Sequence, residues 1–234
     1  MLASLLDILM PPLCPLCNSE ERAPDLCGTC LADIKIITPP ACGVCGTPSI
    51  SKEGVDYLCG ECTAIKRPFV KARSAVYYSG SAIRAIRLFK YHGHFPLIPF
   101  LARLCKDMIG SEEGLSDFIV VPVPLHKKRL KERCYNQSLL IANEVAKMLS
   151  LKIDPAALIR TRLTTPQVEL KGKERRENLR GAFEVTDPAA VKNKKILLVD
   201  DVYTTGSTIT ECSKVLKKAG AETHVLTLAR IATM

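Results

Sequence analysis

Lys194-Lys-Ile-Leu-Leu-Val-Asp-Asp-Val-Tyr-Thr-Thr-Gly-Ser-Thr208 is the stretch on which the fold turns. It opens with an apolar, buried-type strand at 195–199 and runs into two carboxylates, Asp200 and Asp201. A turn of hydroxyls around one glycine then leads into an amphipathic helix predicted over 208–219. The amides at a helix start, with a glycine that permits a tight bend, make a nest for a phosphate. Thr204, Thr205, Ser207 and Thr208 add hydroxyl donors, and Gly206 lets the backbone come close. Asp200 and Asp201, at the strand's C-terminal end, are placed to accept hydrogen bonds from the vicinal hydroxyls of a ribose, where open α/β sheets hold their ligands. An ordinary capped strand–turn–helix accounts for Thr208 but not for the acidic pair ahead of so hydroxylic a turn. A Walker A loop is excluded, because its Gly-Lys-Ser/Thr sequence is absent.

The same alternation extends outward. Strands are predicted over 72–78, 118–123, 157–160 and 223–229, and helices over 81–90, 96–109 and 137–149. Strands alternating with helices of this length give an α/β fold with a parallel sheet flanked by helices and right-handed crossovers. Residues 163–180 are polar and charged, with no clean period.

Before about residue 66 the character differs. Eight of the eleven cysteines form four Cys-x-x-Cys pairs: Cys14/Cys17, Cys27/Cys30, Cys42/Cys45 and Cys59/Cys62. Each pair presents two thiolates from one tight turn, so two pairs close a tetrahedral Zn²⁺ site and four pairs make two structural sites. The nine residues 18–26 and the thirteen residues 46–58 between pairs suit small ribbons paired in sequence. A disulfide within Cys-x-x-Cys would close a tiny loop and stabilise little. The metal instead supplies the folding energy a core-poor segment lacks. The domains expected are a double zinc ribbon over 1–68, with a short lead-in helix, and an α/β domain over 69–234. Cys105 and Cys212 fall on helix patterns and read as buried packing. His92 and His94, with no third ligand nearby, read as loop residues.

No apolar run is long enough to span a membrane. The opening residues 1–10, with Leu2, Leu5, Leu6 and Leu9 on one helical face, lack the basic start and cleavage site of a signal peptide. A cytoplasmic location is expected. The net charge of +9 concentrates at 126–133 and 171–176, which suits a polyphosphorylated substrate or a nucleic acid.

The segment around Asp200 closely resembles the signature of type I phosphoribosyltransferases. Val121-Pro-Val-Pro-Leu-His-Lys-Lys-Arg-Leu-Lys-Glu-Arg-Cys-Tyr-Asn-Gln137 is similar to the ComF/GntX family, competence protein F and its amidophosphoribosyltransferase-like kin. So are Phe89-Lys-Tyr91 with Gly93, Thr165-Pro-Gln167, Glu174-Arg-Arg-Glu-Asn178 and Gly181-Ala-Phe183. The resemblance covers essentially the whole chain and implies binding of 5-phosphoribosyl pyrophosphate with Mg²⁺. On it, Asp200 and Asp201 form the acidic pair and Thr204, Thr205, Gly206, Ser207 and Thr208 the phosphate loop. Leu125, His126, Lys127, Lys128 and Arg129 occupy the pyrophosphate loop, with Lys127 and Lys128 as catalytic cations. Arg133, Asn136 and Gln137 orient that loop from a helix start, and Lys90 is a further candidate. The stretch 163–180 matches a mobile lid carrying Arg175 and Arg176. Where this family usually has glycine, the chain has Cys134, which strains the turn if a positive φ is needed.

Two functions follow from the resemblance. One is transfer of phosphoribose to a nitrogen acceptor, in nucleotide metabolism or beside DNA uptake. The other is non-catalytic sensing of the pyrophosphate compound by a protein that handles single-stranded DNA alongside competence-machinery proteins.

Overall fold

The structure, a computed structural model, describes residues 13–20, 25–49, 57–109, 114–163 and 178–231. The expected lead-in helix over 1–10, and Arg175 and Arg176 of the expected lid, lie outside the described residues.

Two short helices, α1 (Gly28–Ala32) and α2 (Gly60–Ala64), belong to the cysteine-rich part. Then come β1 (Lys71–Tyr77), α3 (Gly80–His92), α4 (Ile98–Ile109), β2 (Phe118–Pro122), α5 (Lys127–Arg133), α6 (Gln137–Leu149) and β3 (Lys152–Ile153). A small pair, β4 (Leu158–Arg160) and β5 (Phe183–Val185), precedes α7 (Pro188–Val191), β6 (Lys195–Tyr203), α8 (Ser207–Lys218) and β7 (Glu222–Arg230). The main sheet is parallel, in the order β1-β7-β6-β2-β3.

Strand β6 is central, and its alternating side chains feed two cores. Leu197 and Val199 pack with Phe89 and Leu101 of α3 and α4 and with Ile141 and Val145 of α6. Ile196 and Leu198 pack with Ile209, Cys212 and Leu216 of α8 and with Phe183. A strand buried on both faces reads as a continuous apolar run. That is the pattern at 195–199.

Three elements depart from the sequence expectation. The strand at 157–160 pairs antiparallel with β5 and stands outside the parallel sheet. The loop expected near 125–128 is shorter than that, since α5 already starts at Lys127, where His126 Nδ1 accepts the Lys128 N–H at 3.2 Å and caps the turn. Strand β6 runs on to Tyr203, so the acidic pair lies within the strand, not just past it.

The cysteine-rich part is stitched to the edge strand. Ile36 bridges Val76 antiparallel, and the Ile37 and Ala72 amides donate to Ala75 and Val44 carbonyls at 2.9 and 2.7 Å. Asp33 Oδ2 accepts from the Ser81 amide and hydroxyl, both at 2.8 Å, and so caps α3 from outside its own segment. These contacts cover the β1 edge that would otherwise offer free backbone groups.

Candidate functional site

β2 and β6 are neighbours in the sheet, yet the chain leaves them in opposite directions, β2 towards β3 and β6 towards β7. A crevice outside the strand ends at such a switch point is where α/β sheets bind ligands. Asp200, Asp201 and the following turn lie at the end of β6, and residues 123–126 follow β2.

Both carboxylates are buried, Asp200 at 8% and Asp201 at 6% exposure, and their surroundings differ. Asp201 Oδ2 is 2.6 Å from Lys90 Nζ. Burial opposes ionisation of Asp201, but the Lys90 charge and the hydrogen bonds to the carboxylate together outweigh it and lower its pKa. Burial would likewise lower the Lys90 pKa, and Asp201 reverses that. Asp200 Oδ1 accepts from the Ser138 hydroxyl and the Asp201 amide, each at 2.9 Å. Burial first, and then the Asp201 charge, raise its pKa to about 7. Near neutral pH the pair therefore carries one firm negative charge and one that titrates.

The turn has the features of a phosphate nest. Gly206 has φ +71° and caps α8. A Cβ there would collide with the Tyr203 ring and hydroxyl, so glycine is required on two counts. Thr205 Oγ1 and Ser207 Oγ lie 2.8 Å apart, and Thr204 and Thr208 are half-buried in the same turn. The amides at the start of α8 carry the positive end of a twelve-residue helix.

The other expected residues divide. Asn136 caps α6 by accepting the Ser138 amide at 3.0 Å, while its Nδ2 donates to the Val123 carbonyl at 3.0 Å. It thereby fixes the backbone entering the loop after β2. Arg133 donates to Gln137 Oε1 at 2.7 Å and lies over the Tyr91 ring. Lys90, Arg129 and Arg133 line one cleft of about 270 Å³ beside the acidic pair. Lys127 and Lys128 sit exposed on the first turn of α5, outside that cleft. Leu125 and His126 are half-buried, and His126 acts as a cap where a loop donor was expected. Cys134 has φ +67° and closes α5, the positive φ that the usual glycine would serve. His92 and His94 join no metal-capable group among the described residues.

Sequence reasoning missed Ser138 and Arg160. Ser138 carries no signal in the sequence. Arg160 stands over the Phe183 ring, and burial lowers its pKa although the Cys212 and Asp200 charges pull the other way. A lone arginine at the end of a short apolar strand was the only trace of it.

The eight paired cysteines form two clusters, Cys14/Cys17/Cys27/Cys30 and Cys42/Cys45/Cys59/Cys62, each with all sulfurs within 4.8 Å of one another. The Cys17–Cys27 and Cys45–Cys59 sulfurs are 3.5 and 3.6 Å apart, close to the edge of a tetrahedron with Zn–S bonds of about 2.3 Å. Burial opposes the Cys14 thiolate, but backbone amides outweigh it and bring its pKa to about 6. Burial and neighbouring thiols push Cys30 to about 12. Four such thiols ionise together only around a cation, so the donor sets fit zinc, paired in sequence as expected.

Comparison with known proteins agrees with this arrangement. A double zinc ribbon model matches residues 5–63, and a phosphoribosyl transferase domain model matches residues 134–233. Competence protein F of Haemophilus influenzae is 32% identical over 205 residues, spanning 84% of this chain and 86% of that protein. The chain belongs to the ComF family. Its ComF relatives include the DNA utilization protein YhgH of Escherichia coli, 29% identical over 92% of this chain and 94% of that one. Competence protein ComFC of Bacillus subtilis is 27% identical over 91% of this chain and 92% of its own length. No helix among the described residues is long and apolar enough to cross a membrane.

Proposed function

We propose that this ComF protein binds 5-phosphoribosyl pyrophosphate with Mg²⁺ at the ends of β2 and β6 and transfers its phosphoribosyl group to a nitrogen acceptor. The observation that carries the reading is the buried Asp200–Asp201 pair, neutralised by Lys90, immediately ahead of the Gly206 nest at the switch point. In this reading the nest and the turn hydroxyls take the 5-phosphate, and the acidic pair takes the ribose hydroxyls. Lys90, Arg129 and Arg133 stabilise the negative charge that develops on departing pyrophosphate. Lys127 and Lys128 reach it only from the rim.

Mg²⁺, which takes oxygen ligands and one or two carboxylates, would supply charge neutralisation at the pyrophosphate. Asp200 is the carboxylate suited to it, because the ammonium of Lys90 already occupies Asp201. We place the domain boundary at 68/69 and the protein in the cytoplasm.

Calorimetric titration with 5-phosphoribosyl pyrophosphate and Mg²⁺ tests the site. The Asp200→Asn/Asp201→Asn chain is expected to fold and not to bind, and unchanged affinity would put the ligand elsewhere. Pyrophosphate release across a panel of nitrogen acceptors separates a transferase from a sensor. A second reading, contact with single-stranded DNA beside competence-machinery proteins, draws on the relatives' names and on the exposed Lys127, Lys128 and Lys131 of α5.

A further inference from the structure

The second cysteine cluster and the phosphate turn are far apart in sequence and nearly in contact in space. Tyr203, the last residue of β6, is buried with its ring and hydroxyl under Gly206. Its partner in the sheet register is Arg230, the last residue of β7. The Arg230 guanidinium stands 4.0 Å over the Tyr203 ring centre and is itself only 5% exposed. Its hydrogen bonds go to the knuckle of the second cluster: Nη1 donates to the Cys45 carbonyl and Nη2 to Thr47 Oγ1, both at 2.8 Å. Thr47 Oγ1 in turn lies 3.0 Å from Cys45 Sγ.

A second link runs alongside. Arg67 contacts Cys62 of the same cluster and pairs with Glu61 of α2 at 2.7 Å. Its charge also acts on Tyr203. The ring beneath the phosphate turn thus lies under one arginine and within the field of a second, each held by the second ribbon.

Taken with the phosphate-loop reading above, on which it rests, this geometry has a mechanical consequence. We propose that Arg230 is a positioning residue that ties the second cysteine cluster to the phosphate turn, so that the turn holds its ligand-ready shape only while that cluster holds its metal. A buried guanidinium is tolerated because the Cys45 carbonyl and Thr47 accept from it. If the knuckle loosens, those acceptors leave and the guanidinium must shift to find others. The Tyr203 ring then loses the cation over its face, and Gly206 loses its floor. The cluster and the turn are coupled sites, and coupling is reciprocal: whatever the metal adds to ligand affinity, the ligand adds to metal retention.

The test uses the full zinc-loaded chain. Calorimetry measures 5-phosphoribosyl pyrophosphate with Mg²⁺, and a zinc-selective chromogenic chelator reports zinc release with and without that ligand. Arg230→Met keeps the length and removes the donors. It is expected to retain both zinc ions, to bind the ligand about tenfold more weakly, and to lose the ligand's protection against zinc release. In the unaltered chain the ligand should slow release of one of the two zinc ions. A merely structural role for Arg230 would lower thermal stability and leave the protection intact. Should Arg230→Met fail to fold, Thr47→Val decides, since it removes one acceptor and keeps the branched side chain. It is expected to weaken both ligand binding and protection. Ligand affinity and protection unchanged in Thr47→Val, or protection surviving in Arg230→Met, overturns the tie. Absence of ligand binding by the unaltered chain overturns the phosphate-loop reading itself, and the tie with it.

Discussion

Replacing Asp200 by asparagine should change how stability depends on pH, in a direction that the acidic pair fixes. Asn keeps an acceptor for the Ser138 hydroxyl and the Asp201 amide, so packing and hydrogen bonds are retained. What changes is the charge. Burial and the Asp201 charge raise the folded pKa of Asp200 to about 7 from an ordinary value of 3.8. A carboxyl whose folded pKa is raised contributes stability that is fully present below its unfolded pKa and is lost as pH rises through the folded one. Here the window runs from about pH 4 to about pH 7. Roughly three units at about 1.4 kcal/mol each make the full loss about 4 kcal/mol, a large share of a domain's stability. Asp201 has a lowered pKa, so its contribution is lost only below the window and does not blur it. Urea unfolding of the ligand-free, zinc-loaded chain at about pH 5 and about pH 8 measures the effect. The Asp200→Asn chain should gain on the parent by about 2.5 kcal/mol between those two conditions, since part of the loss has already occurred by about pH 5. Parallel pH curves for the two chains would refute the split of the pair.

Cys134→Gly should stabilise the chain by about 1 kcal/mol in urea or thermal unfolding, because the residue closing α5 sits at φ +67°. Elemental analysis of protein purified without added metal should find two zinc ions per chain, one for each cluster of four thiols. Prolonged exposure to a strong chelator should melt the cysteine-rich part. If the exposed cations of α5 serve single-stranded DNA, the affinity read by anisotropy of a labelled oligonucleotide should fall with salt, log K against log salt having a slope of about −0.7 per phosphate neutralised. Phosphoribosyl pyrophosphate with Mg²⁺ should then compete, because Arg129 and Arg133 of the same helix line the cleft assigned to pyrophosphate.

The sequence by itself determined what is contiguous. A strand, two carboxylates, a glycine turn and a helix succeed one another in 194–208, so a local reading recovers the nest and its place at a strand end. Each Cys-x-x-Cys likewise brings its own two ligands together in one turn, and short spacers left sequential pairing as the simplest closure. The positive φ at Cys134 was raised only as a condition, by the family resemblance that puts glycine there. What only the tertiary structure decided is how distant elements meet at that turn. Asp200 and Asp201 are neighbours with the same side chain, and nothing local says which keeps its proton. Lys90 from α3 settles the charge on Asp201 and Ser138 from α6 holds Asp200, across gaps that no periodicity spans. The same holds for Arg230, whose residue type says only that it is basic. Its position at the end of β7, in register with Tyr203 and beneath the Cys45 knuckle, turns that charge inward to join two parts of the chain. Local chemistry follows from adjacent residues, whereas dielectric, partner and protonation state follow from packing, and packing is set by the whole sheet.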